Sequence, residues 1–164
     1  MKSILIVYGT YAGSTAEVAS AIKTTLGNLT CQVDLRPASA DVIDLNPYDL
    51  IIIGSAIHGG RPHETVSRFI ALNGDSLSQK PIAVFTVCAT ITSSIEKRRT
   101  HALTYPATVA GSLQPVATAI FGGIAGSSGR FVNWLGKQIM GVTPGDYRDW
   151  EQIRAWATRL ATAS

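Results

Sequence analysis

At 164 residues, 46% hydrophobic and 15% charged, with no low-complexity tract, the chain has the composition of a compact globule and is neither disordered nor fibrous. A domain of this length buries roughly 70% of the surface its unfolded chain exposes, so one domain over 1–164 is expected to hold a real core. The 14 Lys and Arg against 11 Asp and Glu give a net charge of only +3, and the longest basic run, Lys97-Arg98-Arg99, has no aromatics interleaved, so nucleic acid is not an expected partner.

Met1-Lys2-Ser3 leads straight into Ile4-Leu5-Ile6-Val7, a stretch too short for a signal-peptide core and without a cleavage site, which predicts a cytoplasmic chain. Short runs rich in Val and Ile recur at 3–8, 31–35, 50–53, 82–88 and 116–121, and read as strands buried on both faces. Helix-length segments lie between them at 14–26, 62–72, 92–103, 130–140 and 150–161. The stretch 37–46 has room for a short helix at most, with Val42, Ile43 and Leu45 as its apolar anchors. In the last helix Trp150, Ile153, Trp156, Ala157 and Leu160 share a face, and Asp149 with Gln152 forms a variant capping box. Strict alternation of strand and helix predicts right-handed crossovers and a doubly wound, five-stranded parallel α/β sheet in a three-layer sandwich. Cys31 and Cys88 sit in apolar, strand-like runs, where a thiol acts as a small hydrophobe, so neither disulfide nor metal is expected. No run reaches the ~20 apolar residues of a membrane span.

The most informative segment is Gly9-Thr10-Tyr11-Ala12-Gly13-Ser14-Thr15, between the first strand and first helix, at the carboxyl end of the sheet where open α/β sheets bind ligands. Gly13 permits a sharp turn, and Thr10, Ser14 and Thr15 set hydroxyls beside the unpaired N–H groups of the helix start. The loop lacks the Lys of a nucleoside-triphosphate site and the G-x-G-x-x-G spacing of a dinucleotide site. One phosphate monoester, held by backbone and hydroxyls, fits these residues. A plain Ser/Thr helix cap is the alternative.

With these residues in place the sequence resembles the flavodoxin family, whose phosphate loop commonly reads Gly-Thr-x-Thr-Gly-Asn-Thr; Ala12 and Ser14 depart from that pattern. The resemblance implies strand order 2-1-3-4-5 and bound FMN, with Thr10, Tyr11, Ala12, Gly13, Ser14 and Thr15 around its phosphate. Two further segments fit the family's flavin-cradling loops: Ser55, Ala56, Ile57, His58 and Gly59 after the third strand, and Val87, Cys88, Ala89 and Thr90 after the fourth. Ile57 and Ile91 are candidates to flank the flavin ring, where carriers often place aromatics. No residue is singled out as catalytic, because the ring carries its own redox chemistry.

Within that superfamily the chain is most similar to the menaquinone-dependent protoporphyrinogen oxidases, through Ser55-Ala56-Ile57, Glu96-Lys97-Arg98 and Asp149-Trp150-Glu151-Gln152 in that order. Those enzymes carry an aromatic, Arg-rich segment after the fifth strand, where this chain has Gly122 through Gly129. Carrier flavodoxins are usually acidic around the flavin, whereas His58, Arg61, His63, Lys97, Arg98, Arg99 and His101 here face only Glu64 and Glu96. A mouth of that sign favours a reduced flavin bearing negative charge and attracts anionic substrates. The expected partners are therefore an anionic small molecule, a quinone, or a redox protein. The readings left open are an FMN oxidoreductase, an electron carrier without a substrate pocket, and a flavin-free interaction module. The amphipathic segment 130–140, with its sparse positive charge, suits a membrane surface, a substrate cover, or an ordinary helix laid on the sheet.

Overall fold

In the computed structural model, which describes residues 1–162, the elements in chain order are β1 (Ser3–Gly9), α1 (Ser14–Asn28), β2 (Gln32–Pro37), β3 (Leu50–His58), β4 (Arg61–Pro62), α2 (Glu64–Ser78), β5 (Ile82–Val87), a 3-10 turn (Ala89–Thr92), α3 (Glu96–Ala102), α4 (Tyr105–Ala110), β6 (Ala117–Phe121), β7 (Ile124–Ala125), α5 (Arg130–Met140), β8 (Gly145–Asp146) and α6 (Trp150–Thr162). The five long strands are parallel and lie in the order β2-β1-β3-β5-β6. Counting only those strands, this is the expected 2-1-3-4-5. The reversal of order falls between β1 and β3, so a crevice opens at their carboxyl ends.

Alternation along each strand builds two cores, one on each face of the sheet. On one face Ile4, Ile6, Ile52 and Phe85 pack against Val18, Ile22 and Leu26 of α1 and Ile153, Trp156 and Leu160 of α6. On the other, Leu5, Val7, Ile51, Ile53 and Val84 meet Val66, Phe69 and Leu77 of α2 and Val109 and Ala110 of α4. Asp149 Oδ1 accepts from Gln152 N at 3.0 Å, capping α6 as its sequence predicts.

Two expectations, the helices over 92–103 and 62–72, need correction. The segment 37–46, with room for a short helix at most, forms none. Ala38, Leu45 and Tyr48 bury themselves in its place, and Asn73 pins the chain by accepting from Ile43 N at 2.9 Å and donating to Asp41 O at 2.9 Å. The segment 92–103 is broken, because Ser93 to Ile95 leave helical geometry before α3, and α4 follows as an unforeseen helix with Pro near its start. The helix expected over 62–72 starts later and runs on to Ser78. Pro62 belongs to β4, His63 caps the helix by accepting from Thr65 N, and the burial of Asn73 and Leu77 carries it past Gly74.

Candidate functional site: three loops at the carboxyl edge of the sheet

Gly9 ends β1 beneath α2, and a Cβ there would lie 2.7 Å from Val66 Cγ2 and 2.8 Å from His63 Cβ, so only glycine lets that helix come so close. The loop then closes on itself as Gly13 N donates to Thr10 Oγ1 at 2.9 Å. Gly13 adopts φ 98°, a left-handed conformation, with open space around it. Helix α1 starts there without a side-chain cap, and Glu17 N is the amide that reaches back to Gly13 O, at 3.0 Å. The first-turn amides ahead of Glu17 have no acceptor within the helix. Thr15 is fully buried, and its hydroxyl has no hydrogen-bond partner. Leaving a buried hydroxyl unpaired costs about 1–3 kcal/mol, so these residues fit an anion that would supply the missing acceptor.

The second loop is a tight hairpin. Ile57 pairs with Pro62 and His58 with Arg61, antiparallel, across Gly59 and Gly60 at φ 56° and 76°. Tyr11 reaches over from the first loop, its ring centroid 5.6 Å from that of His58 and 4.3 Å from that of His63. Ser55 is buried behind the hairpin, its hydroxyl donating to Ala56 O and accepting from His63 N, both at 2.9 Å. His63 is engaged as the cap of α2, which gives it a structural task.

In the third loop Val87 and Cys88 are buried, and burial pushes the Cys88 thiol up. Cys88 N donates to Phe121 O at 3.1 Å, which leaves Ala89 and Thr90 as the half-buried residues of this loop. Ile57 and Ile91 pack on one small cluster of Cys88, Ala102 and Tyr105. A cavity of about 610 Å³ joins the second and third loops, with Gly59, Gly60 and Thr90 on one side and Lys97, Arg98 and His101 on the other. The basic run therefore divides: Lys97 and Arg98 line the cavity, whereas Arg99 Nη1 donates to Ser93 O at 2.9 Å and braces the chain.

Helix α5 does not lie on the sheet. None of its residues is buried, and Phe131 and Trp134 are 71% and 56% exposed. It is tied down at its ends. Ser93 Oγ donates to Met140 O at 2.5 Å and Ser94 N to Gly141 O at 2.9 Å, while Asn133 exchanges hydrogen bonds with Ser127. A ribbon of β7 and β8 flanks it. After β8, Arg148 donates to Asp146 at 2.9 and 2.7 Å, pairs with Glu17 in the first turn of α1, and lies 4.7 Å from the Trp150 ring centroid. The hydrogen bonds from Arg148 hold the Asp146 carboxyl down at about 2, from an ordinary value of 3.8. A carboxylate whose pKa falls on folding adds stability that is complete above its unfolded value and is lost as pH drops through the folded one. Asp146→Asn is therefore expected to flatten the loss of stability between about pH 4 and pH 2, measured by urea unfolding across that interval. A slope unchanged from wild type would refute the pairing.

An open doubly wound sheet in this strand order, with three loops converging at its carboxyl edge, defines a flavodoxin-like α/β protein. The chain belongs to the flavodoxin domain family, whose model matches residues 5–143. It is 26% identical over 170 residues to the protoporphyrinogen IX dehydrogenase [quinone] of Escherichia coli strain K12, covering 96% of this chain and 93% of that protein. Among solved structures, oxidised Flavodoxin 2 from Bacillus cereus matches with a TM-score of 0.62 at 23% identity over 97% of both chains. The flavodoxin of Streptococcus pneumoniae TIGR4 matches with a TM-score of 0.59 at 16% identity, again over 97% of both.

The Gly59-Gly60 pair before Arg61 is a readable two-residue turn signal, and the structure makes it a hairpin. No Asp or Glu occurs between Glu96 and Asp146, a charge asymmetry visible in the sequence that spans α3, α4, β6 and α5.

Proposed function

We propose that this chain, acting as one flavodoxin-like domain, is an FMN-dependent oxidoreductase that takes electrons from an anionic small molecule of the protoporphyrinogen kind and delivers them to a quinone. Ser14, Thr15 and the first-turn amides of α1 would hold the FMN phosphate. His58 to Gly60 and Ala89 to Thr90 would border the ring, and bound FMN supplies the two-electron redox chemistry. The observation that carries the enzyme reading over that of a carrier is the 610 Å³ cavity, whose lining includes Lys97, Arg98 and His101 and no carboxylate. Lys97 and Arg98 draw in and orient carboxylates of a substrate. Ile57 and Ile91, being aliphatic, leave a ring face open to small molecules.

The face of α5 that carries Phe131, Trp134 and Leu135, with Arg130 and Lys137 on the same helix and no acid nearby in sequence, favours contact with an anionic membrane surface. A lipid-soluble acceptor would be found there. No helix among the described residues is long and apolar enough to cross a membrane.

The test is anaerobic turnover by the FMN-loaded protein. Protoporphyrinogen oxidation coupled to menadione reduction is expected, with a rate that falls as salt rises and loses that dependence in Lys97→Gln/Arg98→Gln. An FMN-loaded protein inactive toward both compounds would return the carrier reading, and a protein with no calorimetric affinity for FMN would remove both.

A further inference from the structure

Arg148 reaches the start of α1 from 131 residues farther along the chain. The segment that carries it is fixed at the carboxyl edge of the sheet. Tyr147 N donates to Gly123 O at 3.0 Å, a Cβ added to Gly122 would come to 2.2 Å from Tyr147 O, and Asp149 caps α6. Between these anchors the Arg148 side chain is only 10% exposed. Its guanidinium forks onto Asp146, Nε donating to Oδ1 at 2.9 Å and Nη2 to Oδ2 at 2.7 Å, which leaves Nη1 to donate to Glu17 Oε2. The fork and the Trp150 ring, 4.7 Å away, fix the orientation in which Nη1 meets Glu17.

Glu17 is the one charged side chain between Lys2 and Lys23, so it sets the charge beside the loop 9–15. It stands in the first turn of α1, close to the amides without a helical acceptor and to the buried, unpartnered hydroxyl of Thr15. A carboxylate there suits an empty helix start, which is the positive end of the helix dipole, but it opposes any anion that would take the same amides. The loop has no Lys or Arg of its own to offset it. Arg148 supplies the missing charge from outside the loop, and a guanidinium keeps that charge at any ordinary pH.

We infer that Arg148 is a positioning residue for the flavin phosphate: by neutralising Glu17 it keeps the start of α1 receptive to a dianion, without touching the ligand itself. This rests on the reading of the loop as the FMN phosphate site. Were Arg148 only a brace between α1 and the segment before α6, every ligand of the site would feel its loss alike. Charge compensation is felt only by a ligand that carries the phosphate. FMN and riboflavin share the ring and the ribityl chain and differ by that phosphate.

The test is calorimetric titration of the FMN-free protein with FMN and with riboflavin. Arg148→Gln leaves Glu17 uncompensated and is expected to weaken FMN binding about three- to tenfold at low ionic strength, with a smaller loss at high salt and riboflavin binding unchanged. Glu17→Gln added to that variant removes the exposed charge and should bring FMN affinity back to within about twofold of wild type. Glu17→Gln alone keeps the fork on Asp146, which covers the case in which the Arg148 variant folds poorly, and is expected to tighten FMN binding about two- to fivefold. Equal losses of FMN and riboflavin binding in Arg148→Gln, no recovery in the double variant, or FMN binding by Glu17→Gln no tighter than in wild type would overturn the inference and leave the FMN site in place. Wild-type protein without affinity for FMN would remove the site reading, and the inference with it.

Discussion

Thr15→Val is expected to raise the melting temperature of the FMN-free protein by a few degrees and to weaken FMN binding by about ten- to a hundredfold. Both effects come from one hydroxyl. In the free protein it is fully buried without a partner, and replacing it with a methyl of the same shape relieves a desolvation cost of about 1–3 kcal/mol. For a chain of this size each kcal/mol moves the midpoint by about 2–4 °C. In the complex the same hydroxyl would donate to a phosphate oxygen. A hydrogen bond to a charged group is worth about 1.5–3 kcal/mol, and each 1.4 kcal/mol is a factor of ten in affinity. Scanning calorimetry of the free protein and titration calorimetry with FMN measure the two. The opposite signs are diagnostic, since a residue that merely packed the helix start would lose stability and affinity together. An FMN affinity within twofold of wild type would remove Thr15 from the site.

Phe85→Ala carries the largest expected loss of stability, about 3–5 kcal/mol, out of a total that for such domains is about 5–15 kcal/mol. The ring is wholly buried on β5, with centroids of Phe121 and Trp156 each 6.0 Å away, so its removal opens a cavity between the sheet and α6. The tip of its ring also reaches Gly54 of β3, where an added Cβ would come to 2.1 Å from Phe85 Cζ. Gly54 and Phe85 are therefore one fitted pair. They pin β3 against β5 immediately below Ser55, where the second loop begins. Urea unfolding measures the loss, and a change below about 1.5 kcal/mol would mean that the site repacks, against the close packing described. Saturating FMN should restore part of the stability by mass action.

Much of this architecture was legible because the signals are local or periodic. Val- and Ile-rich runs separated by helix-length segments specify a parallel sheet through backbone and solvation physics alone, and the capping Asp149 and the apolar face of α6 were readable in the same way. The turn ahead of α1 was legible because Gly13 and Thr10 act within a few residues of one another. The break at Ser93 to Ile95 was not, nor was the way the helix-free stretch 37–46 is held. Both depend on partners remote in sequence: Met140 and Gly141 for Ser93 and Ser94, and Asn73 for Ile43 and Asp41.

The residue order alone thus settled strand succession and the glycine turn ahead of α1, since each is a property of neighbours along the chain. Three outcomes needed the folded molecule: Lys97 and Arg98 lining a cavity while Arg99 braces a carbonyl, Ser55 spending its hydroxyl on His63, and α5 standing off the sheet with none of its residues buried. In each case the deciding partner is brought close only by tertiary packing. Burial and hydrogen-bond satisfaction are properties of what a group finally meets in space, and helical periodicity gives the same pattern for a face laid on a core as for one left facing solvent.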